Sequence, residues 1–349
     1  MRNIIYTLIA SSVILTGCSN DKTVLYIYNW ADYIDPEIVE EFKNENNCEI
    51  VIDTFDDNES AIAKLLAGGS GYDIMFPTSY AIPVLVKHDL IQRIDTNKIP
   101  NVMSNFDPKF NRFLLDSSMT YSVPYAFSIT GVAYRKDKLP ENYILEHSWW
   151  SITNSVFEKR VCILNDIREI LGIGLILNGN SINTTNKYEV ERSVDTMKIF
   201  KSCARKLDCI QYRTGLVSGE FYVSMGYNSD ILQVIQENDR SGIEFFIPDE
   251  GSTCCFDEIV ILKNAKTELA YKFMDFLYRK EIAYRNSQYN CTYIPNKEIY
   301  DMLTDDEKKN PLINLDESVL NKLELIKDVG DNLTIYNDAW DRFISKNGK

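Results

Sequence analysis

The chain has 349 residues, about twice the ~150 that one domain typically takes, so two structural units are expected and a single small domain is excluded. Apolar residues make up 45% and charged residues 25%, with 21 Tyr and 16 Phe, which supplies a core and excludes wholesale disorder. Lys and Arg number 37 against 51 Asp and Glu, a formal net charge of −14 that disfavours nucleic acid or an anionic lipid surface as the main partner. Such acidity suits a cationic ligand, and it also serves plain solubility.

Residues 1–18 open with Met1 and Arg2, run through a largely apolar stretch, and end in Leu15-Thr16-Gly17-Cys18. This is the pattern of a signal peptide over residues 1–17. The apolar run is shorter than the ~20 residues of a spanning helix, and no later segment reaches that length without charge, so a polytopic membrane protein is not expected. Leu-Thr-Gly-Cys resembles the bacterial lipobox, which implies lipidation of Cys18, a tether over 18–22 and an extracytoplasmic location. Seven further cysteines follow, at 48, 162, 203, 209, 254, 255 and 291, and an odd number cannot all pair internally. In an oxidising compartment Cys203 and Cys209 are the favoured bridge, with free cysteines acting as small buried hydrophobes as the alternative. With no Cys-x-x-Cys pair and only His88 and His147, a zinc site has little to build on, and no metal or cofactor is expected.

In chain order, residues 24–28 read as a strand, and Asp35-Pro36-Glu37 opens an amphipathic helix through Phe42. A second strand over 49–55 is followed by a helix over about 59–66, which Gly68-Gly69-Ser70-Gly71 stops before a third strand over 72–76. This alternation predicts an α/β unit with a parallel sheet, and ligands gather beyond the carboxyl ends of such strands, where Trp30, Asp32, Tyr33, Thr78 and Tyr80 stand. Two short extended stretches over 121–125 and 129–134 predict a crossing between lobes. Residues 160–164 form a further strand, Asp166 to Glu169 start a helix, and another helix is expected over 187–207. A strand over 221–227 leads into a helix opened by Asn228-Ser229-Asp230. Residues 243–247 and 256–262, around a turn at 248–251, predict a hairpin-like return. A helix over 267–278 and a helical tail from Pro311, anchored by Trp340 and Phe343, complete the chain. Short connections throughout favour two lobes joined by several crossings over separate beads.

Nucleophile-elbow, P-loop and zinc-protease patterns do not occur, and Gly172-Ile173-Gly174 lacks the third glycine of a dinucleotide site. His88 and His147 read as surface histidines, so no enzyme is expected, although plentiful Asp and Glu keep a carboxylate-pair hydrolase as the competing class. What recurs is an aromatic beside a carboxylate at element ends: Trp30 with Asp32 and Tyr33, Tyr80, Tyr227 with Asp230, and Phe256 with Asp257. Aromatic faces attract ammonium groups, and carboxylates accept their N–H bonds.

The run Leu25-Tyr26-Ile27-Tyr28-Asn29-Trp30-Ala31-Asp32-Tyr33-Ile34 resembles the opening of the bacterial extracytoplasmic spermidine/putrescine-binding proteins, the substrate receptors of polyamine ABC importers. Colinear matches follow at Asp57-Asn58-Glu59, Tyr72-Asp73-Ile74 through Tyr80, Ser122-Val123-Pro124-Tyr125, Asp166-Ile167-Arg168-Glu169, Phe256-Asp257 and Pro295-Asn296. The resemblance implies a two-lobe, type II periplasmic-binding-protein fold with the ligand cleft between the lobes. It implies lobe 1 over 23–128 plus 257–297 and lobe 2 over 129–256 plus 298–349. The implied partners are a small polyamine and ABC permease subunits, with a monomeric protein touching the membrane only through its lipid and binding no nucleic acid. An iron or sugar receptor on the same fold is the runner-up.

Carried over residue by residue, the resemblance places Trp30 and Tyr33 on an aromatic wall with Asp32 as acidic partner, and Thr78 and Tyr80 on the loop lining the slot. It makes Asp166 and Glu169 an acidic pair, although Asp-x-x-Glu before an apolar run is also a capping box. Asp257 matches the central carboxylate that holds one amine, and Tyr227, Asp230 and Tyr293 complete the implied site. Tyr227 stands where the family commonly has tryptophan, Cys255 where spermidine receptors carry a second one, and Tyr293 is shifted by one place. The Asp32, Asp230 and Phe256 pattern resembles putrescine receptors more than spermidine receptors.

Overall fold

The computed structural model describes residues 22–69, 71–237, 242–310 and 312–345. The expected signal peptide and Cys18 lie outside these residues. Among the described residues no helix is long and apolar enough to cross a membrane.

The first three strands are β1 (Thr23–Asn29), β2 (Cys48–Thr54) and β3 (Ile74–Met75), and β1 pairs parallel to both of the others. The helices between them start where capping chemistry dictates. Asp35 accepts from the Glu37 N–H at 2.8 Å ahead of Pro36–Asn46, and Asp57 accepts from the Ser60 N–H at 2.7 Å ahead of Asn58–Leu66. Seven strands follow: β4 (Val123–Arg135), β5 (Val161–Ile163), β6 (Ala204–Leu207), β7 (Val223–Tyr227), β8 (Ile243–Phe246), β9 (Ser252–Ile261) and β10 (Leu323–Leu325). The sheet order is β2-β1-β3-β9-β4-β7-β5-β6, with β8 on β4 and β10 on β9. Parallel triplets stand at both ends, and the antiparallel strands β9 and β4 join them.

Two main cores sit on either side of that join. One gathers Leu25, Phe42, Ile74, Phe76 and Tyr278, and takes Val123 and Tyr125 from the start of β4. The other gathers Trp149, Phe200, Tyr212, Met225 and Phe343, and takes Val132 and Ala133 from its end. Between them Phe110, Phe127 and Phe256 pack where β4 and β9 pair, with the rings of Phe127 and Phe256 centred 4.8 Å apart. Near the second core the backbones of β4 and β7 meet at Gly131 and Gly226. A Cβ on Gly131 would stand 2.4 Å from Phe245 and 2.6 Å from the Phe246 carbonyl oxygen.

Several expectations are corrected. The two stretches over 121–125 and 129–134 are one continuous strand, because Phe127 and Ile129 are buried pairing partners rather than a break. The hairpin expected over 243–262 does not form: β8 and β9 lie one after the other along β4, both antiparallel to it, so each finds its hydrogen bonds there. The helix expected over 187–207 ends at Cys203, and residues 204–207 become β6 beside β5. The tail is not uniformly helical, since β10 docks on β9 before the final helix Leu333–Ile344. Cys203 and Cys209 are free thiols, and Cys209 Sγ instead accepts the Asn165 N–H at 3.2 Å.

Candidate functional site

Asp257 lies mid-way along β9 and is 9% exposed. Its Oδ2 accepts from the Tyr33 hydroxyl at 2.5 Å and its Oδ1 from the Thr78 hydroxyl at 2.7 Å. Burial pushes its carboxyl up to about 6, while the two hydroxyl donors favour the charged form and pull the other way. Both donors are firmly placed. The Tyr33 carbonyl accepts from the Tyr125 hydroxyl at 3.2 Å and from Asn290 Nδ2 at 3.1 Å, and the Tyr33 ring meets that of Tyr125 edge-on at 5.6 Å. Thr78 follows Pro77, whose carbonyl accepts the Glu258 N–H at 2.8 Å, so the loop is pinned to β9.

Asn58, at the start of its helix and 3% exposed, ties this loop together. Its Oδ1 accepts the Thr78 N–H at 3.1 Å, and its Nδ2 donates to Thr78 Oγ1 at 3.1 Å and to the Tyr80 hydroxyl at 3.0 Å. Tyr80 in turn is held protonated by burial and by the charges of Glu59 and Asp166.

Asp166 caps the helix Ile167–Leu177, its Oδ1 accepting from the Arg168 and Glu169 N–H groups at 2.8 and 3.0 Å. The capping-box alternative is corrected in part: Asp166 is the cap, but the Glu169 carboxylate turns away from the helix start and accepts from the Thr253 hydroxyl. Desolvation raises the carboxyls of both. Tyr227, at the end of β7, is half-buried and feels the charges of both after desolvation. Alternation along β9 puts Cys255 on the face of Asp257 and sends Phe256 to the other, which is why Phe256 packs on Phe127 instead of lining the site. Burial raises the thiol of Cys255, and the charges of Asp257, Glu169 and Asp166 add to that rise, so the thiol lies within electrostatic reach of all three carboxylates.

Thus Tyr33, Thr78, Tyr80, Asp166, Glu169, Tyr227 and Asp257 fall into one linked neighbourhood. Trp30 leaves β1 half-buried, with its ring 4.3 Å from Phe55. Asp32 is exposed at a left-handed turn with φ 53°. Asp230 accepts from the Tyr212 hydroxyl at 2.5 Å and lies 3.6 Å from the Arg213 guanidinium, and that same Tyr212 hydroxyl accepts the Tyr227 N–H at 3.3 Å. Tyr293 is buried among Phe110, Phe127 and Leu315, and its hydroxyl donates to the Leu312 carbonyl at 2.7 Å. Sequence reasoning passed over Asn58, which ties the loop together, and Glu59, whose charge acts on Tyr80, although both stand in a quoted motif. Their helix-start position reads as capping, and nothing in spacing shows what they face.

A two-core α/β chain whose polar groups gather around Asp257 of β9 and the ends of neighbouring strands is a binding protein of the two-lobe type. The model of the family described as "Bacterial extracellular solute-binding protein" matches residues 37–314, and the chain belongs to that family. It is 29% identical over 314 residues to the putrescine/cadaverine-binding protein of Pseudomonas aeruginosa, covering 87% of this chain and 88% of that one. Among solved structures it is similar to the spermidine/putrescine ABC transporter substrate-binding protein of Streptococcus pneumoniae, with 26% identity, a TM-score of 0.82, and coverage of 92% of this chain and 98% of that chain. The Tp0655 lipoprotein of Treponema pallidum is equally close in fold, with 27% identity, a TM-score of 0.82, and coverage of 92% and 99%.

Proposed function

We propose that this chain is the extracytoplasmic receptor of a polyamine ABC importer, which captures a diamine or triamine and hands it to a membrane permease without covalent chemistry. The observation that carries this reading is a set of desolvated carboxylates, Asp257 on β9 and Asp166 with Glu169 at the start of the helix after β5, with Tyr33, Tyr80 and Tyr227 in the same neighbourhood. Their polar partners are hydroxyls and backbone N–H groups, and none of the three forms a salt bridge among the described residues. Arg168 acts on Asp166 and Glu169 only through space, without a salt bridge, so the desolvation of the carboxylates is left largely uncompensated, and an ammonium at each end of an alkyl chain relieves that cost at both places. A neutral sugar offers no such relief. The names carried by the relatives, putrescine/cadaverine in one and spermidine/putrescine in another, support the same class. In this reading lobe 1 comprises 23–128 plus 257–297 and lobe 2 comprises 129–256 plus 298–349, Cys18 carries the lipid, and the protein works as a monomer.

A thermal-shift panel of putrescine, cadaverine, spermidine and glucose tests the proposal. At 100 times the dissociation constant a specific ligand adds about 2.7 kcal/mol of stability. An upward shift with the amines and none with glucose is expected; a melting curve unmoved by every amine would overturn the assignment.

A further inference from the structure

The hydrogen bonds around Asn58 have a direction that the residue types impose. The Thr78 backbone N–H can only donate, so the atom of Asn58 facing it at 3.1 Å is the carbonyl Oδ1. The amide orientation is thereby fixed, and its Nδ2 must be the group facing Thr78 Oγ1 and the Tyr80 hydroxyl at 3.1 and 3.0 Å. An NH2 group only donates. Each hydroxyl therefore accepts from Asn58 and must send its own proton elsewhere. For Thr78 the destination is Asp257 Oδ1 at 2.7 Å. For Tyr80 the same rule holds: its hydroxyl oxygen accepts from Asn58, which leaves its proton free for another acceptor.

We propose that Asn58 is a positioning residue for polyamine binding: one buried amide fixes the Thr78 hydroxyl as a donor to Asp257 and donates to the Tyr80 hydroxyl, so that the Asp257 carboxylate is held ionised and oriented for a cation. The inference rests on the polyamine reading above. It gives Asn58 a role that its place at a helix start does not require, because Asp57 already caps that helix. Without the amide, nothing obliges the Thr78 hydroxyl to point its hydrogen at Asp257, and the carboxylate can lose one of its two donors.

Asn58→Asp separates this role from simple electrostatics. It keeps the size and the acceptor for the Thr78 N–H, adds negative charge near a cation site, and removes the two donors. Titration of putrescine into the wild type and the variant at pH 7.5, with circular dichroism melts to verify folding, should show at least tenfold weaker binding by Asn58→Asp. Equal or tighter binding would overturn the inference. Should that variant fail to fold, Asn58→Ala alone and combined with Thr78→Val supplies the second measurement: the two losses should be strongly non-additive, and additive losses would overturn the proposal. The pH below which putrescine binding fades should also rise in Asn58→Ala. The groups facing Asp257 that could share in that profile are Tyr33, Thr78, Tyr125, Cys255 and the neighbouring Glu258. A wild type that ignores putrescine removes the receptor reading and this inference together, whereas normal wild-type binding with an unaffected Asn58→Asp removes only the latter.

Discussion

The Tyr33 hydroxyl donates to Asp257 Oδ2 at 2.5 Å across 224 positions of sequence, joining the turn after β1 to the middle of β9. With Thr78 on the other oxygen, this bond holds a carboxylate that forms no salt bridge among the described residues.

Asp257→Asn should therefore cost far more ligand affinity than Asp53→Asn. Asp53 lies exposed on edge strand β2, where it accepts from the Tyr72 hydroxyl at 2.6 Å. Leaving a buried ammonium without its charge partner costs about 2 to 5 kcal/mol, or roughly 30- to several thousand-fold in dissociation constant. Calorimetric titration of putrescine into both variants checks this, and comparable affinities would take Asp257 out of the site.

The raised carboxyls set the pH response. An isolated Asp titrates near 3.8, while burial holds the proton on Asp257 up to about 6, so between these values the folded protein binds more protons than the unfolded chain. The contribution of this group to ligand-free stability accordingly falls as pH rises from about 4 to 6, and buried Glu258, pushed up to about 7, acts in the same direction. Ligand binding runs the opposite way, because an ammonium requires the ionised form. Putrescine affinity should climb from pH 5 to 7.5, with protons released on binding near pH 6. Titration in two buffers of different ionisation enthalpy measures that release, and proton uptake would contradict the assignment.

The proposed ligand preference is tested at Asp230, whose carboxylate is shared with Tyr212 and Arg213. Putrescine is expected to bind at least as tightly as spermidine, and Asp230→Ala should weaken putrescine selectively. Arg213→Ala, which releases the carboxylate from its counter-ion, should strengthen it. A tenfold wild-type preference for spermidine that persists in Asp230→Ala would leave Asp230 only its bond to Tyr212.

Gly131→Ala tests the packing at the end of β4. Its Cβ would meet both a Phe245 ring atom and the Phe246 carbonyl oxygen inside 3 Å, and the latter belongs to a paired strand that cannot swing aside. A loss of about 1 to 3 kcal/mol in urea unfolding is expected. Unchanged stability would mean that β8 shifts freely against β4.

Cys18→Ser addresses the anchor. If lipidation at Cys18 tethers the protein, the variant should move from the membrane to the soluble extracytoplasmic fraction with its putrescine affinity intact. A variant that stays on membranes through an alkaline wash would place the anchor elsewhere.

Local chemistry made much of this protein legible in its sequence. Asp35-Pro36 and Asp57 announce two helix starts, and Asp166 a third, because a cap acts on N–H groups only two or three residues away. Alternation along β9 puts Asp257 and Phe256 on opposite faces, a consequence of the two-residue period that the aromatic-plus-carboxylate pattern overlooked. The colinear motifs likewise carried the family. Tertiary structure alone decided which partner each strand end would find: β8 and β9 could have closed on one another, yet both satisfy their backbone groups on β4. It also decided that Glu169 would leave its cap for Thr253, that Tyr293 would turn to the Leu312 carbonyl, and that Asn58 would orient two hydroxyls. Each of these depends on which donor reaches which acceptor across a long separation in sequence, and hydrogen-bond direction is settled only when the two groups meet.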